Sequence, residues 1–299
     1  MKHDVGISFN SSNNKSAYMK KIQLGNTSEQ ISAIGQGTWG IKTWGSDEHY
    51  KKWCDALKIG VDAGMTMIDT AEFYGHGSSE KTVGKVIKQF DRDKLFIATK
   101  ITPIHLYPKL IRRSCNRSLR RLDIKTIDLY QIHFPNPLSC LTKALRTLET
   151  LVDEGKIRYI GVSNFSPKRI EKAMGIMKSH EIVSNQIKIS VESPNNMDKL
   201  YEFAKKNGVT LIAYSPFGHS GLKRLKPTLE LALTTIADNH NVSKYQIALA
   251  WLINFEKTQA IPKSTSPSHI KANAAAAEIV LSSEEMNTIN EQLDLNVRI

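Results

Sequence analysis

The sequence predicts an α/β fold, specifically a (β/α)8 TIM barrel, and three observations support this prediction. Eight short segments have the apolar composition of buried parallel strands. Segments with the helical spacing of apolar residues separate them. Most strands begin at intervals of about 30 residues, the length of one strand–helix unit. The 299 residues also suit one barrel, which typically takes about 250.

The eight candidate strands are, in chain order, 33–37, 66–69, 96–100, 127–133, 159–163, 183–187, 210–214 and 258–261. Several are apolar on both sides of the strand alternation, as expected when helices cover the outside of a sheet. A regular alternation of strand and helix predicts a parallel sheet. Eight such units favour a closed barrel over an open sheet.

The helical segments show apolar residues three or four positions apart. One segment has Leu141, Leu145, Leu148 and Leu151 in this spacing. The long interval between the last two strands holds two helical stretches, 228–239 and a second that begins at Ser243, a residue type favoured as an N-cap.

Two segments lie outside the strand–helix repeat. Residues 19–35 read as an N-terminal β-hairpin that turns at Gly25 and Asn26 and covers the bottom of the barrel. Residues 282–293 read as an extra C-terminal helix that opens with a capping box. The predicted organisation is a polar N-terminal tail, 1–18, followed by a single barrel domain, 19–299.

The composition limits the classes of partner. The net charge is +12, but the densest basic helix, 109–121, has no interleaved aromatic residues that could stack bases, so we expect no nucleic-acid partner. We also expect no membrane association and a cytoplasmic location, because no apolar run reaches the roughly 20 residues of a membrane span. The three cysteines show no metal-site or disulfide spacing, so no metal is expected. The oligomeric state stays open.

Polar residues follow almost every predicted strand, and barrels of this type carry their active sites at these carboxyl ends. Asp69, Lys100 and His133 form a working set with Tyr74, which lies five residues beyond Asp69. A lysine paired with a carboxylate stays charged, and we expect it to lower the pKa of a neighbouring phenol. A histidine beside them can hydrogen-bond a carbonyl oxygen. These residues predict acid–base chemistry at a carbonyl group.

The same residues lie in motifs that resemble those of the aldo-keto reductase family. The segments are 67–75 (MIDTAEFYG) with 78–80 (SSE), 155–165 (GKIRYIGVSNF), 261–264 (IPKS) and 35–39 (GQGTW). They occur in the family's order, and the resemblance runs from about Lys21 to Leu293. It implies hydride transfer between a nicotinamide cofactor and an aldehyde, ketone or alcohol.

The resemblance also implies roles for individual residues. Tyr74 would be the general acid in reduction, Lys100 and Asp69 would tune it, and His133 would polarise the carbonyl. The implied substrate-binding residues are Trp39, Tyr74, His133 and Phe134. Trp39 and Phe134 have an alternative reading as packing residues of the barrel rim.

The implied cofactor is NADPH, bound across the strand ends. Ser163, Asn164 and Gln186 would hold the nicotinamide amide, and Tyr214 would stack on its ring. The other implied contacts are Gly37, Thr38, Trp39, Asp69, Ser215, Pro216, Phe217, Gly221, Leu222, Ile261, Pro262, Lys263, Ser264, Thr265, His269 and Asn273. The use of NADH as the cofactor also stays open. His269 stands where the family usually has an arginine that binds the 2′-phosphate through two hydrogen bonds.

Two other functions fit the same fold. One is a nucleotide-binding regulatory subunit with little turnover, as some family members are. The other is a non-redox barrel enzyme that uses Lys100, which would give no reason for Ser163, Asn164, Gln186 and Lys263 to occur together. The intact set of Asp69, Tyr74, Lys100 and His133 favours an active reductase.

Overall fold

Eight parallel strands form the centre of the molecule. The computed structural model describes residues 19–102, 107–136, 140–194, 197–218 and 220–296. Neighbouring strands follow chain order. They are β3 (Gln36–Gly37), β4 (Met67–Asp69), β5 (Phe96–Ile101), β6 (Ile127–Ile132), β7 (Ile157–Ser163), β8 (Ile182–Lys188), β9 (Thr210–Tyr214) and β10 (Thr258–Ile261).

Hydrogen bonds between the two ends of the sheet close it into a barrel. Gly35 N donates to the Ala260 carbonyl at 2.8 Å, and Gly37 N donates to the Pro262 carbonyl at 3.0 Å. Every residue of β5 and of β6 is buried, since the helices cover one face and the barrel interior the other. The predicted barrel is confirmed, although the first strand is shorter than predicted because Ile34 makes only an isolated bridge to Ala260.

Ten helices are described, and the first six surround the strands in alternation. They are α1 (Asp47–Asp62), α2 (Ser78–Ile87), α3 (Pro108–Leu122), α4 (Leu141–Asp153), α5 (Pro167–Met174), α6 (Met197–Asn207), α7 (Pro227–Asn239), α8 (Lys244–Asn254), α9 (Pro267–Ala275) and α10 (Ser283–Gln292). Four of them begin with a proline, a residue that suits the first helical position because the amide proton there needs no helical partner.

The predicted N-terminal hairpin is present and covers the bottom of the barrel. It consists of β1 (Lys21–Gln23) and β2 (Gln30–Ser32). Gly25 lies in the turn, and its amide donates to Thr210 Oγ1 at 2.7 Å, at the start of β9. The hairpin therefore blocks the amino ends of the strands and leaves the carboxyl ends open.

The predicted extra helices are also present. Helices α7 and α8 lie between β9 and β10, and Ser243 caps α8 as predicted. Helix α10 opens with the predicted capping box of Ser282 and Glu285. Trp251 of α8 donates to Asn290 of α10 at 2.9 Å, which attaches the last helix to the barrel.

The predicted polar tail, residues 1–18, lies outside the described residues. Within the described ranges, no helix combines the length and the apolar character that a membrane span requires.

Candidate active site

A cleft of about 490 Å³ opens at the carboxyl ends of the strands. Most of the residues that the sequence singled out line it: Gly37, Thr38, Trp39, Asp69, Tyr74, His133, Phe134, Ser163, Asn164, Gln186, Tyr214, Ser215, Pro216, Phe217, Gly221, Ile261 and Lys263. Phe73 also lines the cleft, although the sequence analysis did not select it. It directly precedes Tyr74, and this adjacency was the available signal.

The remaining predicted residues lie behind or beside this cleft. Lys100 is completely buried beneath it, and the side chain of Leu222 is buried as well. Pro262, Ser264 and Asn273 line a narrower cleft that shares Gly37 with the first. Thr265 and His269 also lie outside both clefts: Thr265 is half-buried and His269 is exposed on α9.

Lys100 forms the centre of the acid–base group. Its ammonium donates to Asp69 Oδ2 at 2.5 Å, to the Thr70 carbonyl at 2.9 Å and to the Tyr74 hydroxyl at 3.3 Å. An ammonium has three protons, so all of them have acceptors. Because Tyr74 accepts a hydrogen bond from Lys100, its own proton points elsewhere, and Tyr74 lines the cleft.

Asp69 is held by amide donors as well as by Lys100. Gln186 Nε2 donates to Asp69 Oδ1 at 2.7 Å, and Gln131 Nε2 approaches the same oxygen at 3.4 Å. The sequence analysis missed Gln131. Strand alternation could have identified it, because Gln131 lies two residues before His133 and therefore faces the same side of the strand.

Lys100 acts to lower the pKa of Tyr74, as expected, but the expected net lowering of that pKa was wrong. Burial raises the pKa of Tyr74, and this effect exceeds the opposing attraction of Lys100, so the pKa lies above its usual value. Burial also acts to lower the pKa of Lys100, but Asp69 and Tyr74 together outweigh it and raise that pKa. The resting site therefore holds a neutral phenol beside a lysine cation.

His133 is an uncharged imidazole. Burial, assisted by the nearby positive charge of Lys100, lowers the pKa of His133 to about 3. Phe134 stacks on the imidazole with ring centroids 4.6 Å apart, and Tyr74 meets it edge-on at 5.6 Å. A neutral imidazole has one N–H donor, which suits it to hydrogen-bond a carbonyl oxygen in the cleft.

A tight turn fixes the position of Tyr74. The 3₁₀ segment Tyr74–Gly77 follows β4, and Gly75, His76 and Gly77 all have positive φ. Gly75 packs so closely on the Ile41 carbonyl that a β-carbon there would lie 2.5 Å from the oxygen. This turn directs the Tyr74 hydroxyl back toward the end of β5.

The opposite wall of the cleft carries a second polar group. Tyr214 donates to Asn164 Oδ1 at 3.0 Å, and Asn164 Nδ2 donates to Ser163 Oγ at 3.0 Å. Beyond Tyr214, positive φ angles occur at Ser215, Gly218, Gly221 and Leu222. Gly218 N donates to the Ser215 carbonyl at 2.8 Å and Leu222 N donates to the Phe217 carbonyl at 3.1 Å, so this segment folds into successive tight turns along the cleft.

A positive side chain also borders the cleft. Lys263 follows β10, is exposed and lines the cleft. Among the described residues, no three histidine, cysteine or acidic side chains are placed to hold a metal ion. The site thus combines an apolar mouth, a buried acid–base group and an elongated polar wall.

The family is shown by direct comparison. The model of the aldo/keto reductase family matches residues 33–294. The chain belongs to the aldo/keto reductase family. The relatives include the methylglyoxal reductase YeaE of Escherichia coli K12, which is 32% identical over 262 residues, or 87% of this chain and 90% of that protein.

Solved aldo-keto reductase structures match the whole barrel. The thermostable aldo-keto reductase Tm1743, in complex with the inhibitor epalrestat, has a TM-score of 0.87 and 41% identity, with 92% of this chain and 100% of that chain covered. An aldo/keto reductase from Klebsiella pneumoniae, in complex with NADP and acetate, has a TM-score of 0.83 and 31% identity, with 94% and 98% covered. This aldo-keto reductase is therefore an oxidoreductase with the (β/α)8 fold.

Proposed function

We propose that this aldo-keto reductase reduces aldehydes or ketones to alcohols with NADPH and that Tyr74 is the general acid. The observation that carries the proposal is the hydrogen bond from Lys100 to the Tyr74 hydroxyl at 3.3 Å, at the base of the cleft. It orients the phenol proton away from Lys100, and burial keeps the phenol protonated. The reverse reaction, alcohol oxidation, uses the same groups.

The chain's residues fit a bound NADPH. Tyr214 offers a ring face beside the amides of Asn164 and Gln186, and Gln186 Nε2 is already used by Asp69. The side-chain carbonyl oxygen of Gln186 is therefore the atom that can accept a hydrogen bond from the nicotinamide carboxamide N–H. Gly221 lines the cleft with open space on its α-carbon side, which leaves room for a pyrophosphate, and Lys263 with Ser264 suits a 2′-phosphate. NADPH, when bound, supplies the hydride.

Each side chain then has one task at the carbonyl oxygen. Neutral His133 donates a hydrogen bond that orients and polarises it. Tyr74 donates a proton to it as it becomes an alcohol oxygen. Lys100 stabilises the resulting phenolate, and Asp69 holds Lys100 in place.

The substrates we propose are small aldehydes and ketones that fit an aromatic mouth. Trp39, Phe73 and Phe134 are each about half exposed at the cleft. The E. coli relative is named a methylglyoxal reductase, so a small α-keto aldehyde belongs in the test panel.

The test combines cofactor titration with turnover. Nicotinamide fluorescence measures the binding of NADPH and NADH, and absorbance loss then measures the reduction of methylglyoxal and benzaldehyde by wild type, Tyr74→Phe and Tyr159→Phe. We expect Tyr74→Phe to bind NADPH normally and lose at least about a hundredfold in kcat. Tyr159→Phe, at the bottom of the barrel, should match wild type. Tight binding without turnover in wild type would instead favour a regulatory nucleotide-binding subunit.

A further inference from the structure

Packing alone does not explain why a glutamine, Gln131, occupies a fully buried position inside the barrel. Gln131 is completely buried in β6. Its amide nitrogen points to Asp69 Oδ1, at 3.4 Å. Its carbonyl oxygen is buried without a hydrogen-bond partner among the described residues. A buried polar atom without a partner costs stability, and an aliphatic side chain would fill the same volume without this cost.

We propose that Gln131 is a positioning residue: with Gln186 it holds the Asp69 carboxylate in place, and through Asp69 and Lys100 it sets the acidity of Tyr74. The chain of contacts is continuous. Gln131 and Gln186 approach Asp69 Oδ1, Lys100 binds Asp69 Oδ2 and also binds the Tyr74 hydroxyl. The two oxygens of Asp69 are thus divided between the amides and the lysine.

The neighbouring strand makes room for this arrangement. Gly161 of β7 pairs with Gln131 in the sheet register. A β-carbon at Gly161 would lie 2.9 Å from Gln131 Cγ and 2.6 Å from Ser184 Oγ. Any side chain at position 161 would therefore push Gln131 away from its present position. The glycine at position 161 therefore leaves the space that Gln131 needs to approach Asp69.

The electrostatic effect has a definite sign. Among the described residues, the groups that face Tyr74 and can carry charge are Lys100, Asp69, His133 and Tyr214. The Gln131 N–H dipole presents its positive end to Asp69 and partly offsets that negative charge. Its removal makes the site more negative, so the phenolate form of Tyr74 becomes less favourable. The acidity of Tyr74 should therefore fall.

The test uses Gln131→Met, which keeps the length and approximate volume of the side chain but has no N–H donor. Tyrosinate absorbance against pH, with the Tyr74→Phe background subtracted, measures the pKa of Tyr74 in the protein without cofactor. We expect this pKa to rise by about 0.5–1 unit and kcat to fall about three- to tenfold with little change in KM. Because an unpartnered carbonyl is removed, Tm should stay level or rise by about 2–4 °C.

Ser184→Ala is the matched control. Ser184 is also buried, and its hydroxyl also has no hydrogen-bond partner among the described residues, but, unlike Gln131, it makes no hydrogen bond to Asp69. Its replacement should leave the pKa of Tyr74 and kcat unchanged. A second variant, Gln131→Glu, replaces the donor with a second carboxyl group beside Asp69. Its ionisation makes the site more negative, so the pKa of Tyr74 should rise, and kcat should fall, by more than in Gln131→Met.

The inference rests on the proposed function for its turnover readout, but the tyrosinate titration does not. An active wild type in which Gln131→Met changes neither the pKa of Tyr74 nor kcat would overturn the role of Gln131 alone. A wild type without carbonyl reduction would overturn the proposed function, and the titration would still decide whether Gln131 acts on Tyr74. Parallel losses of Tm and kcat would show a packing role and would also overturn the inference.

Discussion

At the scale of single residues, the environment of Tyr74 determines how the activity should depend on pH. Burial raises the pKa of Tyr74 above its usual value despite the attraction of Lys100. A general acid must be protonated, so reduction should be independent of Tyr74 ionisation at neutral pH and should decline only above pH about 10. The measurement is kcat for aldehyde reduction from pH 6 to about 10.5. A decline centred near pH 8 would contradict this assignment.

The lowered pKa of His133 leads to a prediction about the stability of the folded protein. Its pKa in the folded protein is about 3, against an unfolded value of 6.5. Between these pH values the unfolded chain binds the additional proton, so the free energy of unfolding should fall as pH falls from 6.5 toward 3. The slope from this residue is at most about 1.4 kcal/mol per pH unit.

Urea unfolding of wild type and His133→Gln at several pH values between 4 and about 7 measures this contribution. The variant has no titrating side chain at this position, so its stability should depend less steeply on pH. Glu149 should not obscure the comparison. Despite some desolvation, hydrogen bonds from the backbone amides of Ser179 and Lys178 and from Arg146 lower its pKa to about 2, and it is the same in both proteins. Identical pH slopes would show that His133 does not carry this effect.

At the scale of secondary-structure elements, the turn after β4 connects local conformation to catalysis. Gly75 has a φ of 55°, and a β-carbon there would lie 2.5 Å from the Ile41 carbonyl oxygen. Gly75→Ala should therefore destabilise the protein by about 1–3 kcal/mol. It should also displace Tyr74 from Lys100 and lower kcat at least about tenfold.

Gly155→Ala is the control for backbone strain alone. Gly155 also has positive φ, 68°, but a β-carbon there would have no neighbour within 4 Å. It should cost about 1–2 kcal/mol and leave kcat unchanged. Denaturant midpoints and kcat for both variants decide the point. A normal kcat in Gly75→Ala would show that this turn does not position Tyr74.

The elements and the proximity of the candidate site residues could be predicted from sequence for the same physical reason. Strand and helix periodicities are local, and the carboxyl ends of parallel strands must meet, so the positions of Asp69, Lys100 and His133 at strand ends were enough to place them together. Quantities that depend on how deeply a residue is buried could not be predicted from the sequence. Whether burial or Lys100 dominates the pKa of Tyr74 depends on packing from several elements. The approach of Gln131 to Asp69 likewise depends on the stagger of the strands.

At the scale of the whole molecule, one end of the barrel is covered and the other carries the cleft. The hairpin and its contacts cover the amino ends, and Arg158 joins Glu29 of the hairpin to Asp128 of the barrel. The carboxyl ends carry the cleft. Exposed cations occur in the segments that follow β9 and β10, at Lys223, Arg224, Lys263 and Lys271.

This charge distribution predicts that salt should affect NADPH more than NADH. The chain carries +12 overall, and NADPH has an additional phosphate, so its association should be more strongly steered. We expect the NADPH association rate to fall about tenfold between roughly 20 and 200 mM salt, and the NADH rate to fall less. Stopped-flow nicotinamide fluorescence measures both rates.

Two variants with the same change in net charge locate the effect. Lys263→Met removes a cation that lines the cleft, whereas Lys81→Met removes an exposed cation on α2. If the 2′-phosphate lies at Lys263, only Lys263→Met should bring the salt dependence of NADPH close to that of NADH. Equal effects of the two variants would assign the steering to net charge alone. In that case the preference for NADPH would have to come from contacts other than Lys263.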